Sequence, residues 1–428
     1  MATVTEKSWA MVCSEIGSLS VAELVRKYGT PTFVYEAEVI VRQIEKLRQF
    51  DVIRYAQKAN SNLAVLDLMR RHGVVVDAVS VGEVYRARRA GYEYSAPENE
   101  TAPIVYTADI FDRETLDLVD REKIHPNLGS PDMISQFGER CPGRSITLRI
   151  NPGFGHGHSQ KTNTGGSSSK HGIWHTQVDE CLALAKRYDL AVTGLHMHIG
   201  SGTDFEHLAQ VCSAMEKVAV RVGSQLQTVS VGGGLPTPYR DEDREIDIDR
   251  YFKLWDASRK RLEASVGHSL TLEIEPGRYP VAECGFLIAE IRAIKDMGEN
   301  KFYLLDAGFN NLARPILYGA YHPMAIAFRN PPGKVQYQDV VVGGPLCESG
   351  DIFTQADGGT VLKRSLPVAT VGDYLVIGCA GAYGFVMGSN YNSKTMAAEV
   401  LIEDRFDHLV RRREPVEDLC RLESIPNH

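Results

Sequence analysis

From about residue 36 to residue 274 the chain alternates short apolar runs with stretches of helical periodicity, eight times over. The apolar runs fall at 52–55, 74–79, 103–106, 123–127, 146–150, 191–198, 228–231 and 270–274. Helical spacing of apolar residues occupies 36–49, 61–71, 82–90, 113–120, 131–140, 176–188, 205–222 and 247–264. Strands joined this way run parallel, in either an open doubly wound sheet or a closed barrel. Eight units within about 250 residues favour closure, so the expected fold is α/β, a TIM (β/α)8 barrel.

Beyond residue 284 the rhythm changes. Apolar runs at 286–294, 301–305, 335–342, 360–366 and 374–377 are separated by turns rather than long helices. That pattern predicts a second, antiparallel β-sheet or barrel domain. A chain of 428 residues is in any case too long for one ordinary core.

Composition narrows the function. With 43% hydrophobic and 24% charged residues and no low-complexity tract, the chain reads as a soluble globular protein. A net charge of −8 and the lack of a basic stripe argue against nucleic acid as a partner. The run Arg411-Arg412-Arg413 reads as a solvated face. No apolar stretch is long enough to span a membrane, and the first twelve residues lack the pattern of a signal peptide. Eight cysteines without a CxxC pair point to reduced thiols in a cytoplasm, with neither a disulfide framework nor a metal site.

In a barrel, chemistry sits just after the strands, at their C-terminal ends. Lys58 follows the first strand, Ser80 and Glu83 the second and Asn151 the fifth. His198 ends the sixth, Gly232-Gly233-Gly234 follow the seventh, and Glu275 follows the eighth. A lysine in such a loop can be desolvated and its free amine used to form a Schiff base. A triple glycine lets backbone amides approach an anion, and barrels commonly hold phosphate after this strand. Ser201 offers a hydroxyl beside it. Singly, each residue has a plainer reading: a surface lysine, a flexible turn, a solvated glutamate. His198 as a satisfied core histidine also stays open, because His196 lies two residues earlier on the same strand face. Together they match pyridoxal 5′-phosphate, which carries an aldehyde, a phosphate and a ring nitrogen needing a partner. A carboxylate at that nitrogen, Glu275, keeps the ring protonated and strongly electron-withdrawing.

These residues lie in motifs that carry a resemblance. YAQKAN around Lys58, HMHIGSG at 196–202, GGG at 232–234, EPGR at 275–278, CESGD at 347–351 and AYGFVMGSNYN at 382–392 resemble the fold-type III pyridoxal-phosphate decarboxylases. Asn163-Thr164-Gly165-Gly166, leading to Ser169-Lys170-His171-Gly172, is similar to their diaminopimelate branch. The resemblance runs from about residue 30 almost to the end.

It implies decarboxylation of meso-2,6-diaminopimelate to L-lysine, with Lys58 holding the cofactor covalently and Glu275 at the ring nitrogen. Ser201, the three glycines, Gly277 and Tyr383 would hold the cofactor, with His198 stacked on the ring. Arg278, next to Gly277 and also counted toward the cofactor, would join Arg314 and Tyr318 on the substrate's far carboxylate, a role suited to the guanidinium fork. Glu348 would read the distal ammonium, Tyr383 would also touch substrate, and Cys347 would protonate the carbanion. Cys347 and Glu348 would reach the partner's site in a homodimer. The resemblance also assigns residues 1–33 to the second domain, giving a barrel at 34–283 and a discontinuous β domain at 1–33 and 284–428.

Gln57, Val81 and His171 depart from the pattern without removing a catalytic group. The same chemistry on ornithine, arginine or carboxynorspermidine is disfavoured by the second-carboxylate set Arg278, Arg314 and Tyr318. Racemisation on this fold is disfavoured by Glu275 where racemases place a cation. A non-catalytic pyridoxal-phosphate-binding relative is disfavoured because lysine, cysteine and arginines are all present.

Overall fold

The computed structural model describes residues 9–97, 100–155, 165–198, 200 and 204–426. Ser201, Asn163 and Thr164 lie outside the described residues. The chain divides into two compact units, one of Val41–Pro236 and Glu245–Tyr279, the other of Met1–Ile40, Thr237–Arg244 and Pro280–His428.

The first unit is a closed barrel of eight parallel strands. They are β1 Val52–Ala56, β2 Val75–Ala78, β3 Ile104–Ala108, β4 His125–Leu128, β5 Ser145–Asn151, β6 Ala191–His196, β7 Thr228–Ser230 and β8 Thr271–Ile274. Each pairs with the next, and β8 pairs back onto β1 through Glu273 opposite Val52 and Ile274 opposite Ile53. The TIM barrel read from the sequence is therefore the fold, with strand ends within about two residues of those expected.

Local chemistry starts the outer helices where they start. Asn62, Ser80, Asp112, Ser130, Asp204 and Asp247 each accept a backbone N–H of the helix they precede, leaving fewer orphan donors. Helix Phe205–Val222 then buries Leu208, Val211, Cys212, Met215, Val218, Ala219 and Val222, the single stripe that seals it against the barrel.

The barrel interior is polar. Arg54, Asp77, Thr107, Asn127, Arg149, His196, Ser230 and Glu273 are all buried, each beside an apolar strand neighbour such as Ile53, Val76, Leu148 or Leu272. Strand alternation turns those apolar side chains the other way, toward the helices. The polar ones meet in the lumen: Arg54 Nε and Nη2 donate to the two oxygens of Glu273 at 2.8 and 2.9 Å.

The second unit centres on the long strand Gly285–Asp296, paired antiparallel with Thr32–Glu36, Lys301–Leu305 and Tyr374–Ile377. Two pairings are parallel, Thr32–Glu36 with Ala398–Glu403 and Lys301–Leu305 with Tyr337–Gly343, so the sheet is mixed rather than purely antiparallel. Ile16, Leu24, Val34, Ile288, Val376 and Val400 form part of its apolar core.

Candidate active site

Lys58 sits on a single 3-10 turn, Gln57–Ala59, that closes β1. The turn is pinned from several sides. Gln57 Nε2 donates to the Asp77 carbonyl at 3.3 Å, Tyr55 Oη to the Asn60 carbonyl at 3.0 Å, and the Ala56 N–H to the Pro276 carbonyl at 3.1 Å. Gln57, Ala59 and Asn60 are buried while Lys58 between them is exposed. The expected desolvation of this lysine is thus not what the fold supplies; it supplies a turn pinned on both sides of an exposed lysine. Its charge acts on Asp77, Glu83, His196 and His198.

The glycine loop is held by close approach. Gly232 and Gly234 have φ of +67° and +94°. A Cβ at Gly233 would lie 2.3 Å from the Glu275 carbonyl oxygen, and one at Gly234 would lie 2.1 Å from that of Gly200. Only glycine allows this loop to pack onto the strand ends. The Gly233 N–H donates to His198 Nδ1 at 3.2 Å, and the Glu275 N–H to the Gly232 carbonyl at 2.8 Å. Loop, histidine and glutamate are one bonded unit. Burial, helped by Arg149 and Lys58, holds the His198 pKa well below 6.5, so its imidazole is neutral.

Glu275 is the electrostatic centre. Its side chain is buried, and Ser230 Oγ donates to Oε1 at 2.7 Å. Burial first, then the negative charges of Asp77 and Glu273, push its pKa up to about 8, against the pull of Ser230 and Arg54. A carboxyl in that state gains most from a cationic N–H donor placed beside it. A protonated pyridine nitrogen is such a donor. With an exposed lysine, a tight glycine loop and a neutral histidine bonded to it, the barrel residues fit pyridoxal phosphate.

Other rim residues serve the scaffold. Ser80 caps the helix, its Oγ accepting the Glu83 N–H at 3.2 Å, and Glu83 Oε2 reaches back to accept the Val79 N–H at 2.8 Å. Burial still lifts the Glu83 pKa to about 7. Asn151 accepts the Gly153 and Gly166 N–H groups at 3.1 and 2.9 Å, and donates to the Gly166 and His171 carbonyls. It therefore organises the loop after β5. His171, the departure noted in the sequence, binds Asp109 through Nδ1. Sequence reading missed Arg54, Asp77, Asn127, Arg149 and Glu273, which sit inside strands rather than after them.

In the second unit, Arg314 is buried and donates to Tyr239 Oη at 2.9 Å, with His322 Nε2 at 3.0 Å. Tyr239 and His322 had no sequence signal. Tyr318 is half-buried at the end of the short helix Arg314–Tyr318. The 344–351 loop folds around buried Asp351, which accepts the Leu346 and Phe309 N–H groups at 2.8 and 2.7 Å. Cys347 and Glu348 are left exposed at its tip. The Cys347 N–H donates to Asn392 Oδ1 at 2.7 Å. Tyr383 holds a left-handed φ of +56°, a strained setting for a tyrosine of the kind that gathers at functional sites.

A closed parallel barrel that brings an exposed lysine and a buried carboxyl to one rim places the chain among the fold-type III barrel enzymes. Residues 36–282 match the family model described as the pyridoxal-dependent decarboxylase, pyridoxal binding domain. The chain belongs to that family, and pyridoxal phosphate is its cofactor. It is 48% identical over 415 residues to a diaminopimelate decarboxylase of Escherichia coli K12, covering 96% of this chain and 98% of that one. It is 50% identical over 406 residues to one from Streptomyces coelicolor, covering 95% and 92% respectively. A crystal structure of diaminopimelate decarboxylase superposes with a TM-score of 0.90 at 49% identity, covering 94% of this chain and 95% of the other.

Proposed function

We propose that this protein decarboxylates meso-2,6-diaminopimelate to L-lysine and carbon dioxide. The observation that carries the reading is Glu275: a buried carboxyl bonded to Ser230, in a barrel whose relatives are named for this reaction. When bound, pyridoxal phosphate supplies an electron sink for the pair released as the bond from Cα to the carboxylate breaks. Glu275 keeps the ring nitrogen protonated, Lys58 anchors the cofactor, and the 232–234 loop with Gly277 and Ser201 receives its phosphate. Lumen residues exclude bulk water beneath the rim.

Among residues of the second unit, Arg314 with Tyr318 is proposed to read the distal carboxylate, alongside the barrel's Arg278. The Tyr239 and His322 contacts hold the Arg314 guanidinium in one orientation, as a bidentate grip requires. Glu348 takes the distal ammonium, Tyr383 touches cofactor and substrate, and Cys347 returns a proton to Cα. We assign residues 34–283 to the barrel domain, of which 237–244 cluster with the other unit, and residues 1–33 with 284–428 to the second domain. The working form is proposed to be a cytoplasmic homodimer; the eight cysteines are free thiols, and no helix among the described residues is long and apolar enough to cross a membrane.

The test is carbon dioxide release from cofactor-loaded protein offered diaminopimelate, ornithine, arginine and carboxynorspermidine separately. Release from diaminopimelate alone, with L-lysine formed, is the expected result. Release from another substrate overturns the carboxylate assignment, and silence with all four overturns the enzyme.

A further inference from the structure

A line of buried polar side chains crosses the barrel lumen. Thr107 lies beside Asp77 and lowers its pKa. Asn127 Nδ2 lies 3.3 Å from Thr107 Oγ1 and 2.8 Å from His196 Nδ1. His196 Nε2 lies 3.2 Å from Glu275 Oε2, and Ser230 Oγ donates to Glu275 Oε1 at 2.7 Å. Strands β2, β3, β4, β6 and β7 each contribute one member, and the line ends on the residue that follows β8.

The chemistry of the members fixes its direction. Asn127 Nδ2 donates to Thr107 Oγ1 on one side. An amide nitrogen only donates, so His196 Nδ1 must also accept. His196 is buried and, through burial, Arg149, His198 and Lys58, is held neutral. Its one proton therefore sits on Nε2. That N–H has no aligned acceptor, although Glu275 Oε2 is in contact with it. A small turn of the glutamate completes the bond, as often happens when a site tightens around its ligand.

We propose that His196 is a positioning residue for Glu275: locked by Asn127 as the Nε2–H tautomer, it donates to Oε2 while Ser230 donates to Oε1, fixing the carboxyl group in one orientation. The inference rests on the reading of Glu275 as the ring-nitrogen partner. His196 touches neither cofactor nor substrate in this account; it acts through the glutamate.

Two measurements test it. The first needs no cofactor: ring 13C and 15N shifts of labelled histidine, with His196 assigned by its loss in His196→Gln. The expected signal is the Nε2–H tautomer; an Nδ1–H signal overturns the proposal. The second uses cofactor-loaded variants. His196→Leu is expected to lower kcat about tenfold or more, the effect of losing one charge-assisted hydrogen bond, with KM within about twofold and a changed visible spectrum. His196→Gln, whose amide can reach Oε2, is expected to recover most of kcat and the spectrum. A His196→Leu protein with wild-type kcat and spectrum overturns the proposal. If His196→Leu does not fold, Asn127→Asp decides, because its carboxylate draws the imidazole proton to Nδ1; unchanged kcat in that protein, with the Nδ1–H signal seen, overturns it. Full activity in Glu275→Gln would instead overturn the reading of Glu275, and leaves the tautomer result standing.

Discussion

Arg54 and Glu273 face each other inside the barrel across the β1–β8 seam, joined by two hydrogen bonds of 2.8 and 2.9 Å with both side chains buried. Arg54 Nη1 also donates to the Ala102 carbonyl at 2.8 Å, so one guanidinium links β1 and β8 to the segment that leads into β3. Breaking such a pair from one side strands a buried charge. Arg54→Met should cost about 3–5 kcal/mol in urea unfolding. The double variant Arg54→Met with Glu273→Leu should recover much of that loss.

Glu275 makes stability depend on pH in the cofactor-free protein. Its folded pKa of about 8 lies above the ordinary 4.5, so between those values the folded chain keeps a proton that the unfolded chain has released. Stability from this group is then greatest below pH 4.5 and falls as pH rises toward about 8. Glu275→Gln should remove that slope, gaining more over wild type at pH 8 than at pH 5 in thermal melts. A difference independent of pH would contradict the assignment.

Lys58 is exposed on a turn whose neighbours hold it in place. Lys58→Ala should therefore abolish the visible absorbance of reconstituted protein while shifting unfolding by no more than about 0.5 kcal/mol. Retained absorbance would show that another residue anchors the cofactor.

Gly234 has no room for a side chain: its φ is +94°, and a Cβ would meet the Gly200 carbonyl oxygen at 2.1 Å. Gly234→Ala should displace the loop and weaken cofactor binding by about tenfold or more, as read by equilibrium titration. Strain from the left-handed backbone adds about 1–3 kcal/mol of destabilisation.

Arg314→Lys keeps the charge but loses the planar fork that Tyr239 and His322 hold. The expected effect is a rise of about 10- to 100-fold in KM for diaminopimelate, with a smaller change in kcat. Equal loss in both parameters would place Arg314 in the chemical step instead.

Much of the fold was legible because its signals are local. The helix Phe205–Val222 announces itself in seven apolar positions at helical spacing, and β1 in an apolar run followed by a turn. Lys58, the glycine loop and Glu275 were legible because each stands just after a strand, where a barrel gathers its chemistry. The strands Met324–Ala327, Ala398–Glu403 and Phe406–Arg411 were not anticipated. Ala398–Glu403 pairs with Thr32–Glu36 from the other end of the chain, and no local pattern records such a partner.

The sequence by itself determined the alternation of eight strands and helices and which residues stand at the strand ends. Periodicity and turn chemistry act over a few residues, so a linear reading captures them. What only the tertiary structure decided is the lumen: Arg54 against Glu273, and Asp77, Thr107, Asn127 and His196 leading to Glu275. Each stands singly within or just after an apolar run and reads there as an exception. Closure of the barrel brings these exceptions together, and burial makes each depend on its neighbours for a hydrogen-bond partner and a charge state.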